Sequence, residues 1–199
     1  MLSMESTRSP LARGLLALPL RWLGLAWAAG MASGCLVPQD DTLLQSIPQR
    51  RNRPPRIVET QVQPPDPIIQ DFGANGLCEL DFSVVVEDPD VDDLITVRFY
   101  LDYDDQNPTG AYREFQLANN GEPQRGDRPT LHINLRAANS PLSAPGTHLV
   151  EALVSDTRLV GRDPVPVGSI TLDGGTVIVN PGYVVTHAWF IDTVRGDCQ

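Results

Sequence analysis

Aspartates spaced two residues apart are the most chemically suggestive feature of the sequence. Asp88, Asp90 and Asp92 fall in one short segment, and Asp93 follows directly. Carboxylates at this spacing on a loop can converge on Ca²⁺, which takes six to eight oxygen ligands. The sequence therefore offers Asp88, Asp90 and Asp92 as candidate calcium ligands.

The same segment also has a purely structural interpretation. In an Asp-Pro-Asp turn the aspartate side chains commonly accept hydrogen bonds from nearby backbone N–H groups. The spacing also departs from an EF-hand loop, because Asp93 stands at the position of its glycine and Phe99 at that of its bidentate glutamate. We expect a turn without a bound cofactor, and calcium is the alternative.

Catalysis finds little support in the sequence. It contains no Gly-x-Ser-x-Gly, no His-Glu-x-x-His and no phosphate-binding glycine loop. The histidines His132, His148 and His187 each fall within a predicted strand, and none has a cysteine or carboxylate at ligand spacing. We expect no catalytic residue and no enzymatic activity. The alternative is a hydrolase whose site is assembled from dispersed residues.

The first 34 residues have the layout of a secretory signal. Arg8, Arg13 and Arg21 make the leading segment positive, and residues 22–31 follow without a charge. A membrane-spanning helix needs about 20 apolar residues, so this stretch is too short to span and instead matches the apolar region of a signal peptide. We expect residues 1–34 to be cleaved.

The residues after this apolar stretch are Ala32-Ser33-Gly34-Cys35. They resemble the lipobox of bacterial lipoproteins, in which small residues precede a cysteine that receives a diacylglyceryl group and begins the mature chain. The resemblance implies a lipid on Cys35 and an anchor in the bacterial cell envelope, and Leu36 rather than Asp favours the outer membrane. The alternatives are a plain secretory signal with a chance cysteine, and a retained short helix.

The chain has three cysteines, and an odd number in an exported protein requires an explanation. If Cys35 carries the lipid, Cys78 and Cys198 remain, and an oxidising compartment would pair them. The bridge would close a loop of about 120 residues, which the chain-entropy account values at nearly 5 kcal/mol. Two unpaired thiols, or a bond from Cys198 to another chain, are the alternatives.

The composition describes an acidic chain with enough apolar residues for a folded core. The 199 residues carry 15 Arg, no Lys and 25 acidic residues, which gives a formal charge of −10, and 41% of them are hydrophobic. This length fits one ordinary domain, and the acidic balance argues against nucleic acid as a partner. The proline-rich residues 35–55 predict a semi-rigid tether, and residues 56–199 predict the domain.

Apolar and polar residues alternate with a period of two through much of this domain. The clearest runs are Cys78–Val86, Ile95–Tyr103, Leu131–Leu135, His148–Asp156 and Val185–Ile191. Turn residues separate the runs, and seven or so short strands of this kind predict an all-β, antiparallel two-sheet sandwich. Arg56–Gln63 is expected to form an edge strand, and Val165–Leu172 with Thr176–Asn180 an inserted hairpin.

Three stretches carry a strand-and-turn pattern: Val84–Asp90, Ile95–Asp102 and Gly146–Asp156. They resemble the second, third and sixth strands of bacterial immunoglobulin-like domains of the PKD, cadherin-like and fibronectin III type, with His148 in place of a corner tyrosine. The resemblance covers about residues 56–194 and implies an immunoglobulin-like sandwich.

Such domains work by presenting loops and strand edges to other molecules, or as spacers within an assembly. We therefore expect a non-enzymatic envelope lipoprotein with a protein partner, and a calcium- or carbohydrate-dependent adhesion module is the alternative. The candidate contact segments are Asp102–Gly110, Asn119–Arg128 and Leu159–Gly182.

Overall fold

The computed structural model describes residues 51–171 and 175–198. Cys35, the predicted signal peptide and most of the predicted tether lie outside these ranges. The strands are β1 (Arg56–Ile57), β2 (Ile68–Phe72), β3 (Glu79–Ser83), β4 (Val86–Glu87), β5 (Ile95–Leu101), β6 (Arg113–Leu117), β7 (Thr130–Asn134), β8 (Gly146–Ser155), β9 (Leu159–Val160), β10 (Asp163–Pro164), β11 (Gly168–Thr171), β12 (Val177–Asn180) and β13 (Val184–Thr193). Within the described ranges, no helix is long and apolar enough to cross a bilayer.

Five strands form the larger sheet, in the order β2-β13-β8-β5-β6. β8 pairs antiparallel with β13 on one side and with β5 on the other, and β6 pairs antiparallel with β5. β2 joins the edge of the sheet parallel to β13. The predicted alternation explains which face turns inward, because Val97, Val150 and Ile191 of the three central strands are fully buried.

β3 and β7 form an antiparallel pair that packs against the larger sheet. Phe82 of β3 meets Trp189 of β13 with ring centroids 5.2 Å apart, and Leu131 and Ile133 of β7 belong to the same core. The indole N–H of Trp189 donates to the Pro64 carbonyl at 2.9 Å, so the polar atom of this buried ring is paired. The predicted all-β sandwich is confirmed.

The predicted edge strand Arg56–Gln63 is wrong over most of its length. Only β1 is extended, and the chain then forms a short 3₁₀ helix at Glu59–Gln61 and a single bridge from Gln63 to Ser83. Pro64, Pro65 and Pro67 precede β2, which pairs with β13 in the larger sheet. The parallel pairing was not predicted, because it results from this crossing between layers.

The segment between β8 and β13 contains two hairpins. β9 pairs with β10, and β11 pairs with β12, which confirms the predicted inserted hairpin. Among the described strands, β11 and β12 pair only with each other. Gly182 follows this hairpin at a point of close packing, since a Cβ there would collide with the Thr157 side chain and the Val165 carbonyl. The foot of the hairpin is therefore pressed against the preceding chain.

The strand directions sort the loops into two ends of the larger sheet, because β5 runs opposite to β8 and β8 opposite to β13. We call one of them the tether end; it comprises Asn52–Arg53, the loop Asp88–Leu94, Arg125, Asp156 and the hairpin β11–β12. We call the other the disulfide end; it comprises Asp102–Tyr112, Ala144–His148 and the bridge between Cys78 and Cys198.

The disulfide predicted between Cys78 and Cys198 is present. The two Cα atoms are 5.3 Å apart across a sequence separation of 120 residues, and both side chains are buried. This Cα distance lies within the range that a disulfide spans without backbone distortion. The alternatives of two free thiols and of an intermolecular bond for Cys198 do not hold in this structure.

Candidate functional site

The acidic loop at the tether end brings three carboxylates together. Asp88, Asp90 and Asp93 each place one carboxylate oxygen within 4.8 Å of the others. Asp92 is exposed and does not belong to this group, so the predicted set of Asp88, Asp90 and Asp92 is corrected to include Asp93 instead. The reason is a turn, in which the Asp93 N–H donates to the Asp90 carbonyl at 3.1 Å and Asp92 occupies the outer corner.

Arg125 is the residue that organises this loop. Its side chain is fully buried, and its guanidinium donates to the carbonyl oxygens of Val91 at 2.9 Å and of Asp90 and Asp93 at 3.1 Å each. One guanidinium nitrogen lies 3.9 Å from Oδ2 of Asp88. The loop carbonyls thus face a resident cation, in the way that loop oxygens face a metal ion in a binding loop.

A second arginine holds the outer side of the loop. The Arg53 guanidinium donates to Asp90 Oδ1 at 2.8 and 3.1 Å, and the Arg53 backbone N–H donates to Asp90 Oδ2 at 2.8 Å. Both carboxylate oxygens of Asp90 are therefore engaged. Because Arg53 binds both carboxylate oxygens of Asp90 and Arg125 binds the loop carbonyls, the geometry favours a self-contained ion-pair network over a calcium site.

Asp88 is the most perturbed group of the network. Its side chain is completely buried; Oδ1 accepts the Asp90 N–H at 2.8 Å, whereas Oδ2 has no hydrogen bond. Burial raises the pKa of Asp88 to about 6, with the Asp93 and Asp156 charges adding to the rise, while the Asp90 N–H and Arg125 oppose it. Burial also raises the pKa of Asp93, with Asp90 adding to the effect.

Asn52 fastens the start of the domain to the sheet. Its side-chain amide donates to Asp156 Oδ2 at 2.8 Å and to the Pro181 carbonyl at 2.9 Å, and its backbone N–H donates to Asn180 Oδ1 at 2.8 Å. Burial raises the pKa of Asp156. The hydrogen bonds that its carboxylate accepts from the Tyr183 N–H and from the Asn52 side-chain amide oppose this rise. Asn52 and Arg53 were predicted to belong to the tether, but their hydrogen bonds attach them to the foot of the hairpin and to the acidic loop.

At the disulfide end, the ring of His148 contacts two neighbouring segments. Its Nε2 lies 2.7 Å from the Ala144 carbonyl, four residues upstream, and its Nδ1 lies 2.6 Å from Asp102 Oδ2. Both neighbours are acceptors, so the site suits an imidazolium that donates from both nitrogens. Burial opposes this charged form, but the Ala144 carbonyl and Asp102 outweigh it and raise the pKa of His148. The His148 ring thus connects Asp102, which follows β5, with Ala144, which precedes β8.

The other two histidines are also paired with carboxylates. His132 Nδ1 lies 2.7 Å from Asp81 on the exposed face of the β3–β7 pair, and His187 Nδ1 lies 2.9 Å from Glu59. The three histidines lie in β7, β8 and β13, so each falls within a strand as predicted. The two pairings connect β7 with β3 and β13 with the 3₁₀ helix.

Two concavities lie side by side along the loop Asp102–Tyr112. The larger, about 470 Å³, is lined by this loop together with Leu101 and Pro141. The smaller, about 270 Å³, is floored by Tyr100 and Tyr103. Arg162 stacks 4.7 and 4.4 Å above these two ring centroids while its fork binds the Glu151 carboxylate at 2.7 and 2.8 Å. The disulfide end thus offers a concave surface with a rigid aromatic and cationic border.

The three predicted contact segments do not form one surface. Asp102–Gly110 lies at the disulfide end and Asn119–Arg128 at the tether end, whereas Leu159–Gly182 is divided: Arg162 borders the smaller concavity and the hairpin β11–β12 lies at the tether end. Asn119–Arg128 moreover contains Arg125, which is buried and therefore holds the loop inward. Sequence reasoning missed Arg125 and Asn52, because a lone arginine in a polar loop is normally solvated. The only sequence signal for Arg125 was the group of aspartates in another loop, because their negative charges require a nearby cation.

Comparisons with known proteins found no match: no family model, no curated protein and no solved structure is similar to the chain.

Proposed function

We propose that the protein is a non-enzymatic lipoprotein of the bacterial cell envelope, anchored through a diacylglyceryl group on Cys35, that presents its sandwich to a protein partner. The observation that carries the proposal is the use of the cysteines. The Cys78–Cys198 bridge consumes two of the three, and the third stands directly after the lipobox-like Ala32-Ser33-Gly34. A buried disulfide is typical of exported proteins.

Asn52 marks the point at which the chain from Cys35 joins the domain. It is hydrogen-bonded at the tether end, and the disulfide end lies at the opposite end of the larger sheet. Asn52 is 17 positions after Cys35, which allows a reach of about 60 Å at full extension. The concave surface along Asp102–Tyr112 is therefore available to a partner in the envelope.

A protein partner fits the chemistry of this surface better than nucleic acid or a small substrate. Tyr112 is 47% exposed at the edge of the larger concavity, and exposed tyrosine is enriched in protein interfaces. Asp104 and Asp105 in the adjacent loop are acidic and exposed, so they would repel a phosphate backbone. We propose that the acidic loop at the tether end serves the fold and binds no metal.

The anchor is tested by expressing the full-length protein and its Cys35→Ser variant in a bacterium fed a labelled fatty acid. We expect the wild-type protein to carry the label and to fractionate with membranes, and Cys35→Ser to lose both properties. Cys198→Ser is the matched control, because it removes a cysteine that the disulfide uses and should keep the lipid. Label on Cys35→Ser, or none on the wild type, would contradict the anchor.

The partner surface is tested by a photo-crosslinking residue placed in the full-length, membrane-bound protein. At Thr109, on the edge of both concavities, we expect one dominant crosslinked protein. The control position is His132, which is exposed on the β3–β7 pair away from this surface. The same crosslinked species from both positions, or none from Thr109, would count against the proposed surface.

A further inference from the structure

The hairpin β11–β12 exposes an apolar surface that the fold leaves uncovered. Its described apolar side chains, and that of Val167 directly before β11, are all about half exposed: Val167 54%, Val177 56%, Ile178 50% and Val179 52%. Among the described strands the hairpin pairs with no third strand, and an isolated two-stranded hairpin is marginal in water. Apolar residues clustered in this way mark a surface that contacts something else.

The hairpin is also nearly free of charge. Residues 164–182 contain a single charged residue, Asp173, in a chain with a net charge of −10. At the same end, Arg125 and Arg53 face the carboxylates of Asp88 and Asp90, so part of the acidic charge is balanced there. The tether end therefore combines a hairpin that has a single charged residue with an acidic loop whose charge is partly balanced by arginines. This combination suits contact with an apolar, uncharged medium.

The anchor-bearing chain meets the domain at the foot of this hairpin. Asn52 donates to Asn180, the last residue of β12, and to the Pro181 carbonyl that follows it. Cys35 is 17 positions earlier in the chain. A lipid on Cys35 would thus bring a bilayer within reach of the hairpin.

We infer that the hairpin β11–β12 is a second membrane contact, whose Val167, Val177, Ile178 and Val179 enter the interfacial layer of the bilayer that holds the lipid anchor. The occupant is a lipid surface, and the inference rests on the proposed lipidation of Cys35. The contact is shallow, because the open strand edges of β11 and β12 need water or headgroups as hydrogen-bond partners. It orients the disulfide end away from the membrane.

The test uses the lipidated, full-length protein in phosphatidylcholine vesicles that contain a lipid with a nitroxide near the headgroup. A fluorophore is attached to a cysteine introduced at Ile178, which is possible because the native cysteines are bridged or lipidated. The matched position is Tyr112, which is similarly exposed at the opposite end. We expect quenching about threefold stronger at position 178 than at position 112. Equal quenching at the two positions would overturn the membrane contact.

A set of substitutions separates the hairpin from other exposed apolar residues. With the fluorophore at position 167, Val177→Thr/Ile178→Thr/Val179→Thr keeps the β-branched shape but should reduce the quenching to the level at position 112. The control Ile68→Thr/Leu94→Thr/Val160→Thr changes three residues of similar exposure and should leave quenching at position 167 unchanged. Circular dichroism and the melting temperature of both variants verify the fold.

The outcomes distinguish this inference from the proposed function. If the mass of the mature protein lacks the lipid, both are overturned. If the lipid is present and quenching at position 178 equals that at position 112, only the hairpin contact is overturned. If a crosslinker at position 178 instead captures one protein in native membranes while the vesicles give no quenching, the hairpin is a protein interface and the inference is wrong.

Discussion

The two ends of the sandwich are held by different kinds of interaction. At the disulfide end, one covalent bond joins Cys78 to Cys198, and His148 clamps the corner to Asp102. At the tether end, a buried Arg125 gathers the acidic loop, and Asn52 secures the first residues of the domain. Thus a covalent bond holds one end of the larger sheet, and a polar network holds the end at which the described chain begins.

This difference predicts which changes destabilise each end of the sandwich. A disulfide acts mainly by constraining the unfolded chain, so its contribution depends little on protonation. A buried ion-pair network depends on every partner, because removing one leaves an uncompensated charge in a low-dielectric site. We therefore expect the disulfide bond to be sensitive to reduction, and the buried network of the tether end to be sensitive to pH and to single substitutions.

The largest effect is expected from opening the disulfide. In a soluble Cys35→Ser background, Cys78→Ser/Cys198→Ser should lower the free energy of unfolding by about 5 kcal/mol, because the bridge closes a loop of 120 residues. Chemical denaturation at pH 7 measures the loss. It should be the same at pH 5, in contrast with the tether end. A loss below about 1 kcal/mol would mean that the bridge does not constrain the unfolded chain.

The next effect comes from removing the buried cation of the tether end. Arg125→Met keeps much of the side-chain volume but removes the nearest cation of Asp88 and the donor to the loop carbonyls, so we expect a loss of about 3–5 kcal/mol. Arg128→Met in the same loop is the control, because Arg128 is exposed, and should change stability by less than about 0.5 kcal/mol. Similar losses for the two variants would show that Arg125 is not an organising residue.

The coupling within the network can be measured by a second substitution. Adding Asp88→Asn to Arg125→Met removes the uncompensated charge, so the double variant should recover at least about 1 kcal/mol relative to Arg125→Met alone. Denaturation of the four proteins of this cycle at pH 7 gives the interaction free energy. Strict additivity of the two substitutions would contradict a direct pairing of Arg125 with Asp88.

A smaller effect should distinguish the ends by pH. Burial raises the pKa of Asp88 to about 6 in the folded protein, so its contribution to stability is fully present below its unfolded pKa and lost as the pH rises through 6. Relative to Asp88→Asn, the wild-type protein should therefore lose about 1 kcal/mol between pH 5 and pH 7. Urea denaturation at both pH values checks this. A gain with rising pH would mean that the Arg125 charge outweighs burial.

The smallest expected effect is that of calcium. Because Arg125 and Arg53 use the oxygens of the acidic loop, millimolar calcium should leave the melting temperature unchanged to within about 1 °C, as expected when a ligand does not bind the folded state. Magnesium serves as the comparison ion. A rise specific to calcium, abolished by Asp93→Asn, would instead establish a site in this loop.

The sequence predicted the parts of the fold that depend on local pattern. β5, β8 and β13 follow from the alternation of apolar and polar residues, and the inserted hairpin follows from the length of Leu159–Asn180 and the turn residues Asp173-Gly174-Gly175 within it. β2 was missed because its register is fixed by a neighbour more than a hundred residues away, and the prolines before it resemble a linker. Pairings of this kind depend on packing between layers, which a local pattern does not contain.

The candidate site was less predictable, because its key contacts join distant segments. The aspartates were visible as a group, but which of them converge was decided by one turn and by Arg125, more than thirty positions away. Asn52 pairs with Asp156 across 104 residues. The disulfide was predictable only because three cysteines leave few combinations. A small number of cysteines limits the possible disulfide pairings, whereas the many polar residues of the chain leave their hydrogen-bond partners undetermined.

The central claim is that Cys35 is the lipidated first residue of an exported chain whose other two cysteines are bridged. Intact mass spectrometry of the mature protein under non-reducing conditions, with alkylation before and after reduction, tests it most directly. The account predicts a chain that begins at Cys35, carries a diacylglyceryl mass, and exposes two alkylatable thiols only after reduction. A mature chain that begins elsewhere, or free thiols before reduction, would contradict it.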